Sequence, residues 1–325
     1  MKDIFLSIIV PTYNNDKYIY DSLLPALKQC DESVEIIIIN DGSTDHTDDE
    51  IKRALNTEHR AHIKYLNQKT NMGIAQTRNI GLEQASGEYI SFLDGDDLWF
   101  DNFIEVVYPI LKNDKPDLID FDYIKFRTED TSLPVKACID ELQKCIHKND
   151  PAVLHGCFKR SHWHVWSRIF KKDILGDHKF PSKGRYEDMY FTPWLYFKAK
   201  SIVSIKLPLY LYRHNQHGIT QNIIFDDIKN MTDSLEYTIN EFNVYDNNKE
   251  KQQLLKLVIL NCFVEIKSIH KKIHGFYNYD QRTCDLIKKA SNFITDMDMK
   301  PRLRFHARHP ELMKTTSKVF HTFKK

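Results

Sequence analysis

A chain of 325 residues that is 42% hydrophobic and 12% aromatic is long and apolar enough to bury one large core plus an appendage, which excludes a disordered or fibrous protein. Its 46 basic and 45 acidic residues leave a net charge of +1, so the chain as a whole has no field to recruit nucleic acid, and any basic partner surface must be local. Six cysteines, at 30, 138, 145, 157, 262 and 284, form no C-x-x-C pair and no metal-finger spacing, which predicts reduced thiols in a cytosolic protein.

The first apolar run, Leu6-Ser7-Ile8-Ile9-Val10, ends at Pro11. It is too short for a signal peptide or a membrane span and reads as a strand buried on both faces of a parallel sheet. The loop Pro11-Thr12-Tyr13-Asn14-Asn15 follows, then an amphipathic helix over 16–29 and a second strand over 35–39. That strand breaks into Asn40-Asp41-Gly42-Ser43-Thr44-Asp45, where Ser43 or Thr44 is placed to cap a helix reaching Leu55. A third strand over 63–66 leads to Asn71-Met72-Gly73 and a helix over 74–85, and a fourth strand begins at Glu88. Strand and helix thus alternate four times, which predicts an α/β fold: a doubly wound, mostly parallel sheet with right-handed crossovers. No G-x-G-x-x-G follows the first strand, which disfavours a nicotinamide dinucleotide enzyme.

The fourth strand runs into Asp94-Gly95-Asp96-Asp97. Open α/β sheets bind ligands at such carboxyl ends. Two hard oxygen donors flanking a glycine suit Mg²⁺ or Mn²⁺ carrying substrate phosphates. Asp97 reads as the cap of a helix starting near Trp99. A helix over 102–112 and a strand over 118–126 follow, and periodicity is then lost over 127–150. His155, His162, Trp163, His164 and Trp166 crowd one stretch, and either a sugar-stacking surface or a packed core accounts for them. Arg185-Tyr186-Glu187-Asp188 opens a helix with its acids in the first turn, where the dipole favours negative charge. Strands are expected over 203–205 and 209–212, and helices from Asp226 onward, with Leu254, Leu255, Val258, Ile259, Cys262 and Phe263 on one stripe. The domain boundary falls near Asn222, giving a catalytic domain over 1–222 and a helical region over 223–325. Residues 300–325 hold eight Lys and Arg against the single acid Glu311, interleaved with Leu303, Phe305, Leu312, Val319, Phe320 and Phe323. Such a segment can rest on an anionic membrane, pack on the domain or mediate a homodimer.

Four motifs stand in fixed order: Ser7-Ile8-Ile9-Val10-Pro11-Thr12-Tyr13-Asn14, Asn40-Asp41-Gly42-Ser43-Thr44-Asp45, Asn71-Met72-Gly73 to Arg78-Asn79-Ile80-Gly81, and Phe92 to Asp97. Together with Glu187-Asp188 and a Tyr212 to Thr220 segment, this resembles the family 2 glycosyltransferases, over roughly the first two thirds of the chain. The resemblance implies a GT-A fold and an inverting transfer from a nucleotide-sugar donor. It places Pro11 and Tyr13 at the nucleobase, with Asp41 on the base edge, and Asn71 and Arg78 on base and diphosphate. Asp94 and Asp96 take the place of the D-x-D, with Asp96 the more direct metal ligand, and Asp188 falls at the catalytic base, with Glu187 beside it. His214 or His217 could add a metal ligand. Thr77, Gly95 and Gly218 depart from the usual alanine and serines.

The expected activity is therefore a metal-dependent hexosyl transfer, from UDP-sugar, to a hydroxyl of a cell-surface glycan or glycolipid such as capsule or lipopolysaccharide. The cofactor is Mn²⁺ or Mg²⁺, and the location is cytoplasmic or peripheral at the inner face of the membrane. Two rivals are a catalytically inactive glycan- or nucleotide-binding module and a Mg²⁺-dependent phosphohydrolase. The latter wants its acid pair after the first strand, with Thr or Val two residues on, where this chain has Leu98.

Overall fold

Every residue of β1 (Leu6–Thr12) and β2 (Val34–Asn40) is buried, as the apolar stretches Ile8-Ile9-Val10 and Ile36-Ile37-Ile38-Ile39 require of strands covered on both faces. In the computed structural model the described residues are 4–127, 136–137, 142–147, 151–182, 184–215, 218, 222–245 and 247–323. Helices α1 (Ile19–Gln29), α2 (Thr47–Leu55) and α3 (Ile74–Gln84) alternate with β1, β2, β3 (His62–Asn67) and β4 (Tyr89–Phe92). Pairing is parallel between β1 and β2, β2 and β3, and β1 and β4. The doubly wound half is therefore as its alternation predicts.

The chain then adds β5 (Leu98–Trp99), α4 (Phe103–Asn113), β6 (Leu118–Phe126), β7 (Lys144–His147), α5 (Pro151–Arg160), β8 (Arg168–Lys171), α6 (Glu187–Lys198) and β9 (Ile202–Arg213). Among the described residues one sheet runs β3-β2-β1-β4-β8-β6-β9-β5, with β7 paired to β9. Strand β8 is antiparallel to both β4 and β6, so the parallel half continues into a mixed one. The two strands expected over 203–205 and 209–212 are the single strand β9, which tolerates Pro208 at a register shift against β6.

A buried carboxylate pins the parallel half together. Glu35 on β2 accepts from Ser7 on β1 at 2.5 Å, from the Ser86 N–H at 2.5 Å and from Lys64 on β3 at 2.7 Å. Burial raises its pKa, but these bonds outweigh burial and hold it below the usual glutamate value.

Two local expectations are corrected. Helix α1 begins at Ile19, not at 16, because the N–H groups of Asn15 and Asp16 donate to Thr47 Oγ1 and Asp45 Oδ2. Neither Ser43 nor Thr44 caps α2, which starts at Thr47: Asp45 Oδ1 accepts the Thr47 N–H at 3.0 Å, while Ser43 binds Asn40 and receives the Asn14 N–H.

Two compact units emerge. One comprises Met1–Asp150, His164–Lys183 and Trp194–Gly218 and holds the whole sheet; the other comprises Pro151–Trp163, Gly184–Pro193 and Ile219–Lys325. The division is thus interleaved along the chain and is not one cut near Asn222. The second unit is helical, with α7 (Asp226–Val244), α8 (Lys249–His274), α9 (Gln281–Ile294), α10 (Pro301–Arg308) and α11 (Pro310–Thr322). The stripe from Leu254 to Ile266 on α8 is buried, as its 3.6-residue period predicts. Among the described residues no helix is long and apolar enough to cross a membrane. Cys30, Cys145, Cys157, Cys262 and Cys284 are free thiols; Cys138 lies outside the described residues.

Candidate functional site

Strand β4 ends in the carboxylate loop, and the end of β9 holds that loop in place. Asp97 is 1% exposed and caps no helix: Leu98 and Trp99 form β5, and α4 starts only at Phe103. Its Oδ2 accepts from the Tyr210 hydroxyl at 2.8 Å and its Oδ1 from the Arg213 N–H at 2.7 Å. Burial, then the charges of Asp96 and Asp94, push its carboxyl pKa well up. The same Tyr210 hydroxyl accepts the Asp94 N–H at 3.1 Å. Arg213 Nε donates to the Asp96 carbonyl at 2.6 Å, and Asn215 Nδ2 donates to Asp96 Oδ2 at 2.8 Å. The Arg213 guanidinium lies between aromatic faces, 4.8 Å from the Tyr18 ring centre and 4.5 Å from that of Phe126. Sequence reasoning assigned no role to Tyr210 or Asn215. The signal was the run of buried polar residues at the end of an apolar strand, which must find partners.

Gly95 is fixed by close approach. A Cβ there would come 2.7 Å from Thr12 Oγ1 and 2.9 Å from Thr12 Cβ, so the serine expected at this position would displace the β1 loop. The hydroxyl of Thr77, by contrast, fits without cost, donating to the Gly73 carbonyl at 2.9 Å within its own helix.

The remaining donor-site candidates of this unit lie on the loops after β1, β2 and β3 and on α3. Pro11 is buried in β1, opposite Ile39 of β2, and Tyr13, 44% exposed, stands on the loop beyond. Asp41, at the end of β2, is buried and accepts the N–H groups of Met72 and Gly73 at 2.8 and 2.9 Å, one on each oxygen. It therefore fixes the loop that carries exposed Asn71. Arg78, 3% exposed on α3, donates through Nη2 to both oxygens of Asp94, at 2.9 and 3.2 Å, and lies 5.8 and 5.7 Å from the ring centres of Phe92 and Phe180. The structure thus joins Arg78 to the D-x-D directly.

The donor set fits a hard divalent cation. Burial, followed by the neighbouring Asp94 charge, pushes the Asp96 carboxyl pKa up, although the Asn215 hydrogen bond opposes this. A cation shared by two carboxylates relieves such repulsion. Among the described residues no group of three or more His, Cys, Asp and Glu could hold a metal. Mg²⁺ and its like need none when substrate phosphates and waters complete the shell. His214 is exposed, and His217 lies outside the described residues.

Glu187 and Asp188 belong to the second unit. They open α6 directly after Tyr186, whose φ of +65° breaks the chain direction there. Glu187 is 7% exposed and Asp188 half-buried. Nearby, Arg185 Nη1 donates to the Asn222 carbonyl at 2.7 Å and to Asp227 at 3.2 Å. The histidine and tryptophan crowd of 155–166 is divided between the units: His155, His162 and Trp163 belong to the second, and in the first His164 stacks on Trp166 at 4.8 Å and Trp166 on Tyr210 at 4.3 Å.

Residues 7–170 match the family model described as Glycosyl transferase family 2. The glycosyltransferase GlyG of Streptococcus pneumoniae serotype 4 is 26% identical over 304 residues, which span 85% of this chain and 97% of that protein. In three dimensions the chain is similar to S. aureus TarS 1–349 in complex with UDP-GlcNAc, at a TM-score of 0.71 and 18% identity over 98% of this chain and 92% of that one. It is also similar to the mannosyltransferase PcManGT of Pyrobaculum calidifontis in complex with GDP-Man and Mn²⁺, at a TM-score of 0.51 and 14% identity over 98% and 87%. At these identities the two structures speak to the fold, which is of GT-A type.

Proposed function

The chain belongs to the family 2 glycosyltransferases, and from that premise we propose that it moves a hexose from a UDP-linked donor to a hydroxyl of a cell-surface glycan or glycolipid, with inversion at the anomeric carbon. The observation that carries this reading is the pairing of Arg78 on α3 with Asp94 at 2.9 Å, where Asp94 shares the loop after β4 with Asp96 and β4 lies beside β1, whose loop bears Tyr13.

Inverting transfer needs a nucleophile and a leaving group in line across the anomeric carbon. In this reading Tyr13 stacks on the base, and the Asp41-fixed loop bearing Asn71 borders it. Arg78 binds the diphosphate, which develops charge as it leaves. Asp94 and Asp96 would hold Mn²⁺ or Mg²⁺, whose chemistry here is neutralising the leaving diphosphate. Asp188 accepts the acceptor hydroxyl proton, a task the loop carboxylates cannot share once committed to the cation, and Glu187 orients the turn around it. The helix start at Asp188 favours the ionised form a base requires.

The test is a thermal shift series with UDP, GDP, CDP and TDP, each with Mn²⁺ and with chelator. Selective stabilisation by UDP with Mn²⁺ is the expected outcome, and an equal response to all four nucleotides would remove the donor assignment.

A further inference from the structure

The second unit gathers apolar side chains on its surface that its own core does not use. Phe225 is 68% exposed, Phe320 70% and Phe323 86%, while Ile224 is 43% and Val319 48% exposed. The helices carrying them are locked together. Helix α8 ends at Gly275, whose φ of +78° favours glycine and where the His321 ring of α11 would lie 2.5 Å from a Cβ, so the two helix ends meet there. The Tyr277 N–H donates to Ser317 Oγ at 3.0 Å, and the Lys314 ammonium donates to the Tyr279 carbonyl. Ring contacts then run without a break: Phe225 to His274 at 5.5 Å, His274 to Phe276 at 5.8 Å, and Phe276 to His321 at 5.5 Å. Residues from three separate stretches of sequence therefore form one aromatic ridge.

The charges around the ridge have one dominant sign. Lys271, Lys272 and Lys318 are exposed. Glu311, the one acid of α11, is already paired with Lys288, and Asp227 is paired with Arg185. Asp226 is the exposed carboxylate beside Phe225. Next to Phe225 a depression is lined by Ile223, Phe225, Lys272 and Ile273, an apolar wall with an ammonium at its edge. This combination matches a phospholipid, with an acyl chain to bury and an anionic phosphate to pair. Protein interfaces favour arginine and are depleted in lysine, whereas the exposed cations named here are all lysines.

We propose that the ridge from Phe225 through Phe276 to His321, together with the exposed Phe320 and Phe323 at the same end of α11, is a docking surface for an anionic lipid bilayer, with the rings entering the interface and Lys272 and Lys318 pairing with headgroup phosphates. The proposal goes beyond sugar transfer and does not depend on it.

The experiment is cosedimentation of the full chain with vesicles of phosphatidylcholine alone or containing a third phosphatidylglycerol, at low and high salt. The parent protein should bind the anionic vesicles at least about tenfold better than the neutral ones, and high salt should weaken that binding. The combined substitutions Phe225→Ser, Phe320→Ser and Phe323→Ser should abolish binding, and Lys272→Glu with Lys318→Glu should remove the preference for anionic lipid. Both variants should keep the parent melting temperature, since every altered side chain is exposed. Equal binding to both vesicle types, unaltered binding by the variants, or a dimer in sedimentation equilibrium that the aromatic variant dissolves would each overturn the proposal. None of these readouts uses a sugar donor, so a failed transfer assay leaves the result intact.

Discussion

The hydroxyl of Tyr210 donates to Asp97 Oδ2 at 2.8 Å and accepts the Asp94 N–H at 3.1 Å, so one buried phenol serves both ends of the carboxylate loop. Tyr210→Phe keeps the ring and its stacking on Trp166 but strands a buried carboxylate oxygen of Asp97 and the half-buried Asp94 N–H. Urea unfolding should show a loss of about 1–3 kcal/mol. Mn²⁺-dependent UDP affinity should fall as well, because the loop that presents Asp94 and Asp96 is less fixed. Unchanged stability would mean that the loop is held elsewhere.

Asp96 accepts from Asn215 and faces the Asp94 charge. In the proposed reading Asp96→Ala removes the Mn²⁺-dependent part of UDP affinity while the fold survives. Calorimetry with and without chelator checks this, and UDP binding indifferent to both the chelator and the substitution would discard the metal assignment.

Asp188→Asn preserves shape and removes only the proton acceptor. Transfer should fall about 10²–10⁴-fold with little change in donor affinity. Glu187→Gln should be milder. Single-turnover kinetics at saturating donor decides the matter: near-parent turnover in Asp188→Asn would pass the role of base to Glu187.

Two buried histidines make the second unit sensitive to acid. His306 and His270 are 2% and 1% exposed. Burial, reinforced by the cations Lys267 and Arg302, pulls His306 down to about 3; burial, reinforced by His274, pulls His270 down to about 4. Both sit below the ordinary value near 6.5. The unfolded chain therefore takes up protons first as pH falls below 6.5, and the folded chain does not until much lower pH. Stability is full above about pH 7 and declines from there towards pH 4, with a slope of at most about 2.7 kcal/mol per pH unit for two protons. Urea melts across this range check the sign, and His270→Gln should reduce the slope. A flat profile between pH 7 and 5 would show that these rings titrate normally in the folded state.

The parallel half of the sheet was legible because its strands are buried on both faces: Ile8 to Val10 and Ile36 to Ile39 put apolar side chains on both sides and leave little ambiguity. The carboxylate loop was legible from Asp94, Gly95 and Asp96. Its support was not, because the hydrogen bonds of Asp97 reach Tyr210 and Arg213, more than a hundred positions away, and local capping rules rank nearby partners first. Asp41 was placed at the right strand end, yet its oxygens are engaged with the N–H groups of Met72 and Gly73, a commitment set by where the third loop folds back. Likewise, the tail's composition announced an amphipathic surface, but Phe225 and Phe276 lie far from it in sequence and join it only through the meeting of α8 and α11.

The chain passes between its two units five times, at 150/151, 163/164, 183/184, 193/194 and 218/219. Consequently neither unit corresponds to a continuous stretch of gene. A truncation at 222 would strip α5 of α8 and Tyr190 of the Tyr237 ring of α7 on which it stacks, leaving Leu154 and Phe158 as exposed apolar surface. During synthesis those segments emerge before their helical partners exist, and they can bury their apolar side chains only after α7 and α8 have left the ribosome. Completion of the helical unit thus waits for the last third of the chain, and exchange of either unit between relatives requires all five junctions and not one.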